Sequence, residues 1–451
     1  MKLFFKKHIG VIVLLAIILA FPTSMSTQAR LNMRVIITGL AIDKTADGYE
    51  VTAQTVKPSP SSESSGTGAS INFISDKGDT IVSALSKLSY KSGKVAGFSH
   101  TNFILLGKEL LNENISKIMD YFLRDNIIKD SVLLLVAKES AKDEIKKTKD
   151  LELSVGLGLQ KVFVYKEKES DGTMTSLLSF ANNSYGNSKT ALVSVLSLTD
   201  ESSSDASNSS DSQKSSGADT QQKSGGGTEN SDGEKPEAES SGSQGGMESQ
   251  GGSSSESEQS TQSSSSSDSG QKKQYFEALT PLACFVSGKY IGLLEEEDEI
   301  MGYMYSNSKS HAEDLSIEGL NFENLKNARV GVDIKDKTNK KKIRFEGGVP
   351  CLDIYVNVTN ASIKEIENDT FYQIPTEDEF EYIKTKLEEE IAKKVAKTFE
   401  KSKELKADVF SAYDIANKFH YKKIKNNFNS MEEFIDKLKI NVIVDISRLE
   451  Y

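Results

Sequence analysis

Residues Asp200–Gly270 hold 26 serines and 11 glycines, and not one valine, isoleucine, leucine or aromatic side chain. Such a stretch cannot bury enough apolar surface to offset its chain entropy, so it is expected to be disordered. As a flexible coil its root-mean-square span is on the order of 45–50 Å, and repulsion between its acids would lengthen it. It divides a chain of 451 residues into two halves that must fold without it. Once a leader of 29 residues is also set aside, enough chain remains for two or three ordinary domains. The tract also accounts for the charge. Its 14 acids and 3 lysines supply the whole net charge of −11, while the rest balances at 52 basic against 52 acidic residues. A near-neutral folded part argues against a nucleic-acid-binding protein, which would show a basic face. A single apolar run of near-membrane length argues against a polytopic membrane protein.

That run is at the N-terminus. Lys2, Lys6 and Lys7 precede the unbroken apolar segment Ile9–Phe21, followed by Pro22 and a small, polar stretch ending in Thr27-Gln28-Ala29. A basic start, an apolar middle and small residues near a cleavage site describe an export signal. The run has 13 residues, short of the roughly 20 that span a bilayer. Two fates stay open, cleavage after Ala29 or retention of residues 9–21 as an anchor. The two cysteines, Cys284 and Cys351, lie in apolar, strand-like segments. They are either two buried free thiols or one disulfide, and two residues cannot cage a metal.

Residues 30–199 read as an N-terminal domain, divisible into 30–150 and a smaller unit, 151–199. Val35–Ile42 and Tyr49–Thr55 flank Ala46-Asp47-Gly48, a hairpin signal. Asp79 is placed to cap a helix with Ile81, Val82, Leu85 and Leu88 on one face. Phe103–Leu106 and Val132–Ala137 read as buried strands. Ile115, Ile118, Met119 and Phe122 make a second helical face, Ala141–Lys149 reads as a polar helix, and Ala191–Leu198 as a strand. Residues 200–273 form the acidic linker. In the C-terminal domain, 274–451, Ala283–Val286 and Tyr290–Leu294 read as a hairpin, and Val330–Ile334 and Leu352–Val358 as strands. Thr376 and Glu379 form a capping box for a long helix striped by Phe380, Ile383, Leu387, Ile391, Val395 and Phe399. A helix near Met431–Leu438 and a strand through Ile440, Val442, Val444 and Ile446 close the chain. The fold class is α+β, two to three mixed domains with antiparallel or mixed sheets. Proteolysis is expected first within the tract, and its deletion is expected to leave both halves folded.

Little in the sequence carries chemistry. The four histidines, His8, His100, His311 and His420, show no metal-ligand spacing. Ser99-His100 is adjacent in sequence, poor geometry for a nucleophile and its base. No Walker loop, dinucleotide fingerprint or nucleophile elbow occurs. Glu295–Glu299 reads as a solvated acidic turn without calcium-loop spacing. Lys335–Lys342 reads as a turn facing water, with contact to anionic lipid headgroups as the alternative. No catalytic residue, metal or cofactor is expected.

Several segments in order resemble the Ger(x)C family, the C subunits of bacterial spore germinant receptors. They are Leu31-Asn32 with Ile36–Asp43 and Asp47–Gln54; Gly78-Asp-Thr80 with the helix to Leu88; and Phe98-Ser-His100 through Gly107-Lys-Glu109-Leu110. Tyr121-Phe-Leu-Arg124-Asp125 comes next, then Phe285, Gly288–Leu294 and Gly302, and finally Lys406-Ala-Asp408-Val-Phe410. The resemblance implies an exported, non-enzymatic subunit that assembles with the A- and B-type membrane-spanning subunits at the outer face of the spore inner membrane. Small-molecule germinants would be bound by a partner subunit; the balanced charge of the folded part separately argues against nucleic acid as a partner. His100, Glu109 and Arg124 are motif positions whose role can be structural. A secreted or wall-associated binding module is the alternative. Two departures from the family pattern stand out. Family members carry a lipidation cysteine shortly before the Leu-Asn element, and none is present here. The tryptophan expected after Asp408 is also absent from the chain.

Overall fold

The structure, a computed structural model, describes residues 33–58, 69–125, 127–148, 175–200, 274–276, 280–307, 312–368 and 374–451. The leader, His8, the start of the 151–199 segment, the acidic tract after Asp200 and His311 lie outside the described residues, and so do the expectations placed on them.

Strands β1 (Arg34–Thr45) and β2 (Gly48–Pro58) form the expected hairpin, with Ala46 and Asp47 as its loop. Gly48 sits at φ +144°, and a Cβ there would lie 2.2 Å from the carbonyl oxygen of Gly78, so no other residue fits. Strand β3 (Ala69–Gly78) pairs with β2 and leads into helix α1 (Ile81–Ser92). The cap of α1 is Thr80 rather than Asp79, because the Thr80 hydroxyl is the group that accepts from the Ser83 N–H, at 3.1 Å. The buried face is Ile81, Ala84, Leu85 and Leu88, whereas Val82 is exposed.

After the short strand β4 (Val95–Gly97), three strands run parallel beside β1: β5 (Phe103–Leu106), β6 (Leu133–Ala137) and β7 (Thr190–Leu196). Every residue of these three strands is buried, because helices cover both faces of a parallel sheet. The covering helices include α2 (Ile115–Asp125), α3 (Ala141–Lys147) and α4 (Leu177–Tyr185). The strand that ends the 151–199 segment therefore belongs to the same sheet as the strands before it.

The hairpin that follows the tract, β10 (Leu282–Val286) and β11 (Lys289–Leu294), extends this sheet; β10 pairs antiparallel with β7 from Thr190 to Ser194. The order is β11-β10-β7-β6-β5-β1-β2-β3. Between β7 and β10, β8 (Leu198–Asp200) pairs with β9 (Gln274–Phe276), setting Asp200 beside Gln274. The two ends of the tract are neighbours, and the described residues before and after it form one compact unit.

A second sheet follows helix α5 (Glu297–Asn307). It comprises β12 (Ala312–Phe322), β13 (Leu325–Glu346), β14 (Val349–Glu367) and β15 (Lys439–Ile446), with β16 (Leu449–Glu450) beside β14. Strands β13 and β14 meet at Gly347-Gly348, both at positive φ, a two-residue turn that only glycine enters freely. Lys335–Lys342, expected as a turn, lies inside β13, and register shifts near Asp336 point Lys337 into the core. Helix α6 (Glu377–Glu404) begins with the expected capping box at Thr376 and Glu379, and buries Ile383, Leu387, Ile391, Val395 and Phe399. Helices α7 (Ala412–Asn427) and α8 (Met431–Lys437) lead to β15, which is parallel to β14.

Strand β10 is a wall shared by two cores. Ala283 and Phe285 face the core of the first sheet, where the Phe285 ring packs edge-on against Phe180. Leu282 and Cys284 face the other way, into the core beneath α5, α6 and the second sheet. The apolar run Leu282–Phe285 is read by both sides at once.

Candidate functional site

The polar groups that join these cores lie where β7 meets the segment before α7. The Asp408 N–H donates to the Thr190 hydroxyl at 3.0 Å, and that hydroxyl donates to the Ser188 carbonyl at 2.9 Å. The Ser188 N–H donates in turn to the Asp414 carboxylate at 3.0 Å. The Asp408 carboxylate accepts from the N–H groups of Ala412 and Tyr413, at 2.7 and 2.8 Å, and so caps the start of α7. Two lysines of β13 lie in the same core region. The Lys337 ammonium donates to the Met304 carbonyl at 2.6 Å, and that of Lys341 donates to the Phe410 carbonyl at 3.1 Å and to Asn307. The stem of Lys341 is half-buried, but its ammonium end is enclosed.

Burial sets the protonation of this cluster. It pushes the Asp408 carboxyl up to about 7, against the two N–H bonds it accepts. It pushes the Lys341 ammonium down to about 7, opposed by the charge of Asp408, and Lys337 down to about 7, helped by the charge of Lys341. Lys337 thus binds its proton less tightly folded than unfolded. Its contribution to stability rises with pH from about 7 to 10, where the unfolded chain holds more protons. The substitution Lys337→Met removes a desolvated charge at similar volume and is expected to stabilise the protein at neutral pH by about 1–3 kcal/mol. It should also remove part of the stability gained on raising the pH, leaving the share of Lys341. Thermal melts at neutral and alkaline pH check both; an unchanged pH slope would contradict the buried-charge account.

Asp43 and Gly107, within the segments that carry the family resemblance, hold elements together. The Asp43 carboxylate accepts from the N–H groups of Ala141 and Lys142, both at 2.8 Å, and caps α3; burial raises its pKa while those bonds hold it down. Gly107 permits this, since a Cβ there would lie 2.1 Å from Asp43 Oδ1. Glu113 ties Lys44, at 2.6 Å, to the Tyr49 hydroxyl, at 2.8 Å, and Lys142 pairs with Glu50 at 2.5 Å. Replacing Asp43 by alanine orphans the two N–H groups, and is expected to cost about 2–3 kcal/mol in denaturant unfolding. A loss below half of that would mean α3 finds another cap.

The remaining motif positions are not brought together. His100 is exposed in the bend before β5, and Glu109 is exposed just after it, at the opposite end of that strand. Glu109 accepts from Asn112, and Arg124 pairs on the surface with Asp120 at 2.5 Å. The acidic run Glu295–Glu299 is not a solvated turn. The Glu299 side chain is buried and accepts from the Glu295 N–H at 3.0 Å, Asp298 binds Lys394 and Lys397, and Glu296 binds Lys397 at 2.7 Å. Cys284 and Cys351 are both buried and free, and burial pushes the Cys284 thiol up to about 12, far from reactive. Among the described residues no group of three His, Cys, Asp or Glu could hold a metal, and no helix is long and apolar enough to cross a membrane. No sequence motif marks Thr190, Lys337 or Lys341 as site residues. The signal for the lysines is the Val330, Val332, Ile334 alternation leading into them.

Comparison with known proteins gives three findings. Residues 27–198 match the family described as "Spore germination protein N-terminal domain", and residues 280–449 match "Spore germination B3/ GerAC like, C-terminal". Spore germination protein B3 of Bacillus subtilis (strain 168) is 37% identical over 108 residues, which are 23% of this chain and 28% of that protein. The chain thus matches well under a third of that relative's length. A solved structure, that of the GerBC protein, is similar over 91% of this chain and 96% of its own, with 17% identity and a TM-score of 0.44.

Proposed function

Because the chain belongs to the spore germination B3/GerAC-like family, we propose that it is the C subunit of a nutrient germinant receptor. Its role in germination is non-enzymatic. It assembles with the A- and B-type membrane-spanning subunits at the outer face of the spore inner membrane and couples their signal. The small-molecule germinant is bound by a partner subunit. The observation that carries this reading is the pair of family matches, in family order, on both sides of the tract. The geometry supports it in a second way. Asp43 and Gly107 pin elements together, and the polar seam at Thr190 and Asp408 joins two cores, an arrangement suited to passing a displacement rather than to turning over a substrate.

The test uses purified spores. Their inner membrane is separated from the soluble fraction, the protein's intact mass is taken, and its co-purification with polytopic membrane proteins is assayed. Full-length chain in the membrane fraction supports the proposal, with residues 9–21 as anchor. Membrane-bound chain starting near Arg30 supports it with partner subunits holding the protein. Absence from spores together with processed chain in the growth medium would overturn it in favour of a secreted binding module.

A further inference from the structure

Helix α7 carries a basic surface distinct from the Lys335–Lys342 segment. Between Ile415 and Met431 there are four lysines, Lys418, Lys422, Lys423 and Lys425, and no acidic residue. All four are exposed. Several other surface lysines sit beside carboxylates, as Lys386 does with Glu389, Lys397 with Glu296 and Lys437 with Glu433.

Two large rings stand among these lysines. Phe419 is 67% exposed and Tyr421 is 58% exposed. Residues two apart on a regular helix point to opposite sides, so one of the pair would ordinarily turn toward the protein. Here the helix is kinked between them. His420 leaves helical geometry (φ −134°, ψ 31°), sets its Nε2 3.0 Å from the Ile343 carbonyl oxygen and packs edge-on against Phe345. The kink turns the histidine inward and leaves both aromatic neighbours in solvent. The Lys418 ammonium lies 5.4 Å from the Phe419 ring centre, and that of Lys425 lies 5.9 Å from that of Tyr421.

Exposed aromatics ringed by lysines are the composition of segments that lie in a membrane interface, where rings enter the headgroup layer and ammonium groups reach lipid phosphates. A protein partner is a poorer fit, because the buried centres of protein interfaces are depleted of lysine. The Lys423 ammonium lies 4.9 Å from the Phe345 ring centre, on the side of His420. We propose that Lys418–Lys425 of α7 is a docking surface for an anionic lipid bilayer, with Phe419 and Tyr421 inserting and Lys418, Lys422 and Lys425 meeting the headgroups. Its biological setting rests on the membrane-apposed placement proposed above.

The chain has no tryptophan, so the substitution Tyr421→Trp places a single indole reporter at the site. The full-length variant is mixed with vesicles of phosphatidylcholine alone, or of phosphatidylcholine and phosphatidylglycerol in equal parts, with sedimentation reporting total binding. The expected result is a blue shift of emission and quenching by brominated lipid on the anionic vesicles only. Each lysine near an anionic surface contributes about a fivefold factor in partitioning, so adding Lys422→Glu and Lys425→Glu should raise the anionic lipid concentration needed for the shift by at least about 25-fold, with unfolding unchanged. Unmoved emission on chain that sediments with anionic vesicles would overturn the proposal, since the leader alone would then hold the chain. An equal shift on phosphatidylcholine alone would also overturn it. Neither outcome touches the receptor assignment, which the spore fractionation decides separately.

Discussion

A chain ending at Asp200 is expected to aggregate when expressed alone, and to be rescued by co-expression of the segment from Gln274 onward. Strand β7 pairs with β6 only at Val136–Val195 and Ala137–Leu196, but with β10 along Thr190–Ser194. Removing the later segment leaves β7 as an open edge and uncovers the core around Phe180. Ala283 and Phe285 are fully buried in that core, with Tyr290 and Leu293 packed against it; Phe285 alone contributes about 1.5–3 kcal/mol. Together with the lost ladder along β7, that is a large share of the roughly 5–15 kcal/mol that holds an ordinary domain together. Protease cleavage within the tract should accordingly give two fragments that co-elute under native conditions and part only in denaturant. A residue 1–200 fragment that unfolds cooperatively at the midpoint of the intact protein would refute this. The expectation that the halves fold separately treats β10 as part of the second half alone. The pairing with β7 makes it common property.

Gly302→Ala is expected to destabilise the protein by about 2–4 kcal/mol, even though alanine favours helix over glycine by about 1 kcal/mol. Gly302 lies in α5 where it crosses α6. A Cβ there would lie 2.1 Å from the Lys394 carbonyl oxygen and 2.3 Å from the Thr398 hydroxyl. The nearer atom is backbone, so no rotamer change relieves the clash and the helices must separate by about an ångström to reach ordinary contact. Separation would also strain the Thr398 hydrogen bond to the Glu299 carbonyl, 2.7 Å, and the ion pairs from Asp298 to Lys394 and Lys397. The sign decides the matter in a denaturant titration. Propensity acting alone would raise the midpoint, whereas close helix packing lowers it.

Local signals are legible where one residue type has one job. Asp47-Gly48 marked the first hairpin, the runs Phe103–Leu106 and Val132–Ala137 marked strands buried on both faces, and Thr376 with Glu379 marked the start of α6. Asp79 and Thr80 are both good caps, and only the reach to Ser83 distinguishes them. The inner part of β13 was hidden because Lys337 and Lys341 occupy core-facing positions, which composition assigns to water. Helix α7 leaves no clear periodic signal, because the kink at His420 breaks its apolar period and leaves Ala412, Ala416 and Ile424 as the buried face. Of the polar seam, only Asp408 was marked, as a motif position. Its link to Thr190 joins residues on opposite sides of the tract, which no local pattern encodes.

The short ladder of β8 with β9 makes the tract an insertion port. Because Asp200 and Gln274 are already side by side, whatever is spliced between them must only begin and end at nearly the same point. Loop closure costs about 0.6 kcal/mol for each doubling of length, so the cargo can be large without loading the sheets. A fluorescent protein whose own termini are adjacent could be carried there, reporting on the intact protein while both cores stay as they are.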